Sequence, residues 1–223
     1  MNVVFNADCV DGMKKFPDKF FDLVVADPVY GDVPGGGYMS NTGGGKARPL
    51  DYHNAIWSQD RPSDEYFSEL FRVSKNQIIW GANYFTDLIG KSSSGWIVWD
   101  KCRPEGVSYS DCELAFTSFN RATRIFRYRW NGFVQQNMKI REHRIHPTQK
   151  PIDLYRWIYR NYAKKGYKIL DPNVGSGTSR RAAYDFGLDY VGFEIDETYF
   201  VDQEKAFEAH TSQCSFCNFY QPW

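Results

Sequence analysis

The 223-residue sequence predicts a doubly wound α/β fold, on three observations. An apolar run, Phe21–Ala26, is broken only by Asp22 and stops at Asp27-Pro28, as a strand buried on both faces does. In the last third, a short apolar strand over 168–170 meets the turn Asp171-Pro172-Asn173-Val174-Gly175-Ser176-Gly177. A helix over 178–186 follows, then a strand over 190–193 that ends in Glu194. Strand, glycine turn, helix, strand and acid make half of a doubly wound sheet, where ligands sit at the carboxyl ends of the strands. Between these regions the chain keeps alternating strand-like and helix-like segments.

Taken in order, Asn2–Phe5 reads as a strand and Asp8–Phe16 as a helix with Asp8 as its N-cap. A helix is predicted over 62–74, opened by Pro62. Gln77–Trp80, Trp96–Trp99 and Cys112–Thr117 read as strands, the last with Glu113 as its only charge. Arg124–Trp130 alternates basic and apolar residues, as a half-exposed strand does. Pro151–Ala163 is an amphipathic helix candidate. Residues 31–49 are crowded with glycine and turn formers and read as a long flexible loop.

Composition narrows the class. With 42% hydrophobic and 17% aromatic residues, disordered and collagen-like chains are excluded. The length suits one well-buried domain. No apolar run approaches the ~20 residues needed to span a bilayer, and Asp8 comes too early for a signal peptide. The expectation is a soluble, cytoplasmic protein with no membrane partner. The five cysteines, Cys9, Cys102, Cys112, Cys214 and Cys217, are an odd set expected to be reduced. Cys214 and Cys217 form a lone CxxC without the further ligands zinc needs, so no metal site is expected. Net charge is zero, but Arg121, Arg124, Arg127, Arg129, Lys139, Arg141, Arg144 and Lys150 share one stretch with a single acid, Glu142. Local basicity of this kind suits a nucleic-acid phosphate or a solvated face equally.

Three motifs carry chemistry. Gly175 and Gly177 allow close approach to the backbone, the next helix offers free N–H groups, and Glu194 lies about 17 residues on, where an acid can bind ribose hydroxyls. Arg180 takes the place of the third glycine of the dinucleotide fingerprint. That disfavours NAD but leaves S-adenosylmethionine, which has a ribose and a carboxylate but no pyrophosphate. Asp27-Pro28-Val29-Tyr30 sits at a strand end. There a carboxylate and the Pro28 carbonyl can accept the two hydrogens of an exocyclic amine and restore its nucleophilicity, while Tyr30 stacks on a flipped base. An ordinary strand-ending turn would have the same sequence. The third motif, His146-Pro147-Thr148-Gln149-Lys150-Pro151, could otherwise be a loop with Pro151 in a first helical turn.

In this order the motifs resemble those of the β-class amino-methyltransferases of DNA, with a circularly permuted motif order, of the small kind carried by phages and prophages. The likeness extends over most of the chain: a DPPY-like tetrad at Asp27–Tyr30, target-recognition sequence over 101–145, an HPTQKP-like segment at His146–Pro151 and a DPFxGSGT-like loop at Asp171–Thr178. It implies a seven-stranded, mostly parallel Rossmann-like sheet in a single domain, with a catalytic half (1–100), a recognition insert (101–145) and a cofactor-binding half (146–223). It implies S-adenosylmethionine as cofactor and double-stranded DNA as partner, with a homodimer common in the family and a setting in restriction–modification.

The resemblance also implies roles. Asp27, Pro28 and Tyr30 would hold the target base, and Asp27 would also border the cofactor. Asp8 would meet the cofactor adenine, beside Cys9. Asp171, Gly175, Ser176, Gly177 and Thr178 would line its methionine end, assisted by His146 and Lys150, and Glu194 would bind the ribose. Arg124, Arg127, Arg129, Arg141 and Arg144 would contact DNA with Tyr30, as would loop 31–60, with stacking from Tyr38, Tyr52 or Trp57. An Asp-led tetrad favours N6 of adenine over N4 of cytosine. The family usually has proline where this chain has Val29, which loosens the tetrad and leaves open a weakened or purely binding homologue. An RNA or protein amide methyltransferase and a plain nucleotide-binding domain are the rival classes. Direct transfer requires no cysteine nucleophile.

Overall fold

The computed structural model describes residues 1–31, 61–104, 110–131 and 134–216. Nearly all of loop 31–60, including Tyr38, Tyr52 and Trp57, lies outside the described residues, as do the Cys214 and Cys217 side chains.

Among the described residues ten strands are formed: β1 (Asn2–Asn6), β2 (Phe21–Ala26), β3 (Ser74–Trp80), β4 (Trp96–Asp100), β5 (Cys112–Thr117), β6 (Arg124–Arg127), β7 (Trp130–Asn131), β8 (Val134–Gln135), β9 (Lys168–Asp171) and β10 (Asp189–Glu194). The α-helices are α1 (Cys9–Met13), α2 (Asp64–Val73), α3 (Thr86–Ile89), α4 (Ile152–Tyr162), α5 (Thr178–Asp185) and α6 (Glu197–Phe216). Eight strands make one sheet in the order β1-β10-β9-β2-β3-β5-β4-β6, and β7 and β8 form a separate ribbon. Neighbours are parallel except for the two pairs made by β5, with β3 and with β4.

The mixed α/β architecture and mostly parallel sheet are those expected, with one strand more than seven. The eighth, β6, is an edge strand, and it is shorter than the run expected to continue to Trp130. The Phe126 ring anchors it to Trp157 of α4, 5.6 Å away. Trp130 instead turns inward, its indole N–H donating to the Gln149 carbonyl at 2.9 Å. The segment 101–145 thus supplies two strands of the large sheet as well as the ribbon.

Side-chain alternation divides the core. Leu23, Val25, Ile78, Trp80 and Ile169 face Leu154, Ile158 and Tyr159 of α4 and Ala182 and Ala183 of α5. Val24, Ala26, Ile79 and Leu170 face Tyr66, Phe67 and Leu70 of α2. Burial on both faces explains why β2 reads as a continuous apolar run.

Helix boundaries follow from caps. Asp8 Oδ1 accepts from the amides of Val10 (2.8 Å) and Asp11 (3.0 Å), and α1 ends before Pro17, shorter than expected. Ser63 Oγ accepts from the Tyr66 amide and starts α2, a cap worth about 1 kcal/mol. At the start of β3, the Ser74 hydroxyl bonds back to the Leu70 carbonyl, so helix passes directly into strand. Asp196 caps α6 through the amides of Thr198 and Tyr199. Among the described residues no helix is long and apolar enough to cross a membrane.

Candidate active site

The parallel pairings bring the carboxyl ends of β1, β10, β9, β2 and β3 to one end of the sheet. Because β5 runs the other way, its beginning lies there too, with Glu113 opposite Trp99 near the end of β4. Asp8, Glu194, Asp171 and Asp27 therefore mark the ends of the successive strands β1, β10, β9 and β2, and Glu113 lies at the start of β5, beyond β3. β2 and β9 are neighbours in space, although their ends, Asp27 and Asp171, lie far apart in sequence.

Asp27 is the centre of a charge cluster. The Lys150 ammonium lies 2.6 Å from Asp27 Oδ2 and 3.0 Å from Glu113 Oε2, and Lys101 lies 2.5 Å from Glu113 Oε1. The Lys150–Glu113 contact is an ion pair without the alignment of a hydrogen bond. The Tyr30 hydroxyl donates to Asp27 Oδ1 at 3.2 Å. Two lysines and two carboxylates leave the cluster without net charge. The Lys150 side chain is only 3% exposed, so it belongs to the site and not to the basic surface. Burial pushes the Asp27 carboxyl up, Lys150 pulls it back and Glu113 adds to the rise. Burial alone would also raise Glu113, but Lys150 and Lys101 outweigh it and hold its carboxyl at about 2. Lys150, whose burial favours loss of its proton, is held above its ordinary value by Asp27 and Glu113.

Tyr30 is fixed by its surroundings. Its ring stacks on Tyr84, 5.1 Å between centroids, and meets Phe85 edge-on. Gly81, with φ of 64°, makes room: a Cβ there would lie 2.1 Å from the Tyr30 ring. Pro28 is buried beside this arrangement and Val29 is half-buried.

The glycine turn forms as expected, and its own chain engages several of its side chains. Gly175 and Gly177 have φ of 53° and 67°, values that favour glycine. Asp171 accepts from the hydroxyls of Ser179 and Tyr190 and from the Asn173 amide, and burial raises its carboxyl to about 6. The hydroxyls of Ser176 and Thr178 share a hydrogen bond of 2.6 Å. Glu194 accepts from the amides of Gly175 (2.8 Å) and Asp196 (2.9 Å), and burial raises it to about 7. The His146 ring lies against Gly175 and packs on Tyr199 of α6 at 4.3 Å. Its Nδ1 accepts from the Thr148 amide at 3.3 Å.

Arg180, in the place of the third fingerprint glycine, is 4% exposed. It ties α5 to Asn2, Gln203 and Glu204. The Cys9 thiol is pushed up to about 12, by burial first and then by Asp8.

Three contributors carried no signal in the motifs. Glu113 was visible only as the lone charge in an apolar strand, and Gly81 only as a glycine after a tryptophan-ended strand. Tyr66 of α2 donates to Asn173 Oδ1 at 2.6 Å, joining the glycine turn to the opposite helix layer.

The basic residues do not share one place. Arg127 ends the edge strand at the site's end of the sheet, pairing with Asp100 at 3.4 Å, and the exposed Arg129 follows. Arg124 begins β6, at the opposite end. There it lines a cavity of about 360 Å³ with Arg121, Ala122, Asn161 and Tyr162. Arg141 is exposed. Arg144 donates to the Pro147 carbonyl at 2.6 Å and lies over the Trp130 ring, bracing the segment that delivers His146 and Lys150.

A mixed α/β sheet with acids and a glycine turn at its strand ends has these groups where α/β proteins bind their ligands. Residues 91–205 match the N6/N4 methyltransferase family, described as DNA methylase, and the chain belongs to that family. Among its relatives is the type II methyltransferase M.HinfI of Haemophilus influenzae, 25% identical over 92% of this chain and 68% of its own length. Similar solved structures include the M1.HpyAVI–SAM complex, with TM-score 0.57, 19% identity, and 92% of this chain and 100% of that chain covered. The cytosine-N4-specific PvuII DNA methyltransferase has TM-score 0.60, 13% identity, and 95% and 91% covered. These structural likenesses concern the fold.

Proposed function

We propose that this chain is an S-adenosylmethionine-dependent DNA methyltransferase of the β-class, phage-borne type that methylates N6 of adenine on a flipped base. The observation that carries the reading is the adjacency of Asp27 to the glycine turn, at the ends of the neighbouring parallel strands β2 and β9.

The donor set fits the cofactor. Asp8, Asp171 and Glu194, outside the neutral lysine cluster, suit a cationic molecule with ribose hydroxyls and an ammonium group. Gly175 and Gly177 keep the backbone approachable, and Asp8 with Cys9 lies beside Glu194 across the β1–β10 register. Glu194 would take the ribose, the Asp8–Cys9 turn the adenine, and the turn from Asp171 to Thr178 with His146 the methionine end. Glu194 bonds to backbone amides, so ribose hydroxyls would join or replace those donors. When bound, S-adenosylmethionine supplies an electrophilic methyl group on a sulfonium.

The chain's own work is positioning. The Asp27 carboxylate, with the Pro28 carbonyl, accepts the two hydrogens of the adenine amino group and localises its lone pair. Tyr30 presents its braced ring to the extruded base. Lys150 opposes the burial that favours the protonated form of Asp27. Most of the rate then comes from orientation and exclusion of water. Arg127, Arg129 and Arg141 are the proposed phosphate contacts.

Incubation with S-adenosylmethionine and unmethylated DNA, followed by nucleoside mass spectrometry, tests the reading. N6-methyladenine is the expected product. N4-methylcytosine would retain the chemistry and overturn the base, and cofactor binding with no methylated nucleoside would favour a decayed, binding-only homologue.

A further inference from the structure

Glu113 belongs to none of the motifs, yet it is a carboxylate enclosed between two lysines, one of which grips Asp27. Its Oε1 lies 2.5 Å from Lys101 and its Oε2 3.0 Å from Lys150. It reaches this place because β5 runs against its neighbours and starts at the site. Packing leaves the Lys150 ammonium little choice of partner: it lies 5.5 Å from the Trp80 ring centroid and 6.0 Å from that of Tyr30. With Asp27 alone, the ammonium could pivot about a single contact. A second carboxylate on the other side fixes its direction.

We propose that Glu113 is a positioning residue for methyl transfer, bridging Lys101 and Lys150 so that the Lys150 ammonium is held against Asp27 Oδ2 and the carboxylate is aimed at the amino group. The inference rests on the assignment of Asp27 as the group that receives that amine.

Two physical arguments support it. A buried lysine without sufficient counter-charge loses its proton, and a buried carboxylate without a cation gains one. The first event would remove the cation that holds Asp27, and the second would remove the charged acceptor itself. Transfer also leaves positive charge on the substrate nitrogen until a proton departs. An unbalanced ammonium beside that nitrogen would oppose the step, and Glu113 cancels its charge.

The groups facing this cluster come from several elements. Asp27 and Tyr30 come from β2 and the chain after it, Lys101 from the end of β4, and Lys150 from the segment before α4. Tyr155 comes from α4, Tyr66 from α2 and Asp171 from β9. Among these, Lys150 is the group whose protonation Glu113 supports directly through an ion pair while it also holds Asp27.

The test is the pH profile of methyl transfer in Glu113→Gln, which keeps the shape and removes the charge. Turnover at neutral pH should fall about 10-fold, with DNA KM and cofactor Kd within about twofold. The alkaline limb should move to lower pH by about one unit, because Lys150 loses one of its two counter-charges. Glu113→Asp should restore most of the profile. In Lys150→Arg the guanidinium keeps its proton throughout, so the alkaline limb should disappear; this decides the matter if Glu113→Gln folds poorly. A Glu113→Gln profile superimposable on the wild type, or an unchanged alkaline limb in Lys150→Arg, overturns the proposal while leaving the methyltransferase reading intact. A wild-type chain that makes no methylated nucleoside overturns both.

Discussion

The Lys150 ammonium lies 2.6 Å from Asp27 Oδ2, joining the third sequence motif to the first within a buried pair. The lysine expected to assist at the methionine end is paired with the carboxylate of Asp27. Removing it has two consequences. Lys150→Met leaves the Asp27 carboxylate without its cation, while Glu113 keeps Lys101, and should destabilise the fold by about 3–5 kcal/mol, read as a lower melting temperature. At temperatures where the variant remains folded, Asp27 loses the cation that opposes its burial, so its pKa rises further. In the proposed mechanism transfer needs the carboxylate, so the acidic limb of the rate profile should move to higher pH. An unchanged acidic limb would mean that Lys150 does not govern Asp27.

Gly81 should be intolerant of a side chain. A Cβ would lie 2.1 Å from the Tyr30 ring, and the positive φ adds about 1–2 kcal/mol of strain. Gly81→Ala should displace Tyr30 and lower turnover by about 100-fold, with cofactor affinity little changed. Steady-state kinetics beside cofactor titration would check this, and near-normal turnover would remove Tyr30's placement from the account.

Cys9 should be dispensable for chemistry. Its thiol is raised to about 12, so it is protonated at neutral pH and a poor nucleophile. Cys9→Ser should keep turnover within about twofold of the wild type. Abolished transfer with normal cofactor binding would contradict direct attack by the amine.

Val29→Pro restores the residue common in the family's tetrad and stiffens the backbone between Pro28 and Tyr30. Turnover should rise or stay the same. A large fall with the fold intact would count against the tetrad's assigned role.

Much of this arrangement was legible in the sequence because its signals are local. Burial on both faces made Phe21–Ala26 uniformly apolar, the turn at Asp171–Gly177 needed glycines at positive φ, and Asp8 announced a cap. What escaped depends on tertiary pairing. Glu113 enters the site because β5 is reversed, and no local pattern specifies strand direction. Gly81 matters because of a ring from another segment. Helix α6 was missed because its apolar residues cluster, with Tyr199 buried and Val201 40% exposed, instead of forming one stripe. Yet α6 braces the glycine turn: a Cβ on Gly177 would meet Gln203 at 3.0 Å, and Tyr199 packs on His146. The basic stretch also depends on tertiary placement. Its sequence clustering hides a spatial division among Arg124 at the far end of the sheet, Lys150 inside the site and Arg127 at its rim.

The most direct test of the central claim compares the wild type with Asp27→Asn, transferring labelled methyl from S-adenosylmethionine to unmethylated DNA, with cofactor binding measured in parallel. Asparagine keeps the shape of the side chain and removes the charge proposed to draw the amine's hydrogens. Transfer should fall by at least about 100-fold while cofactor affinity changes little. Transfer at near-wild-type rates in Asp27→Asn would contradict the assignment of Asp27 as the group that activates the base.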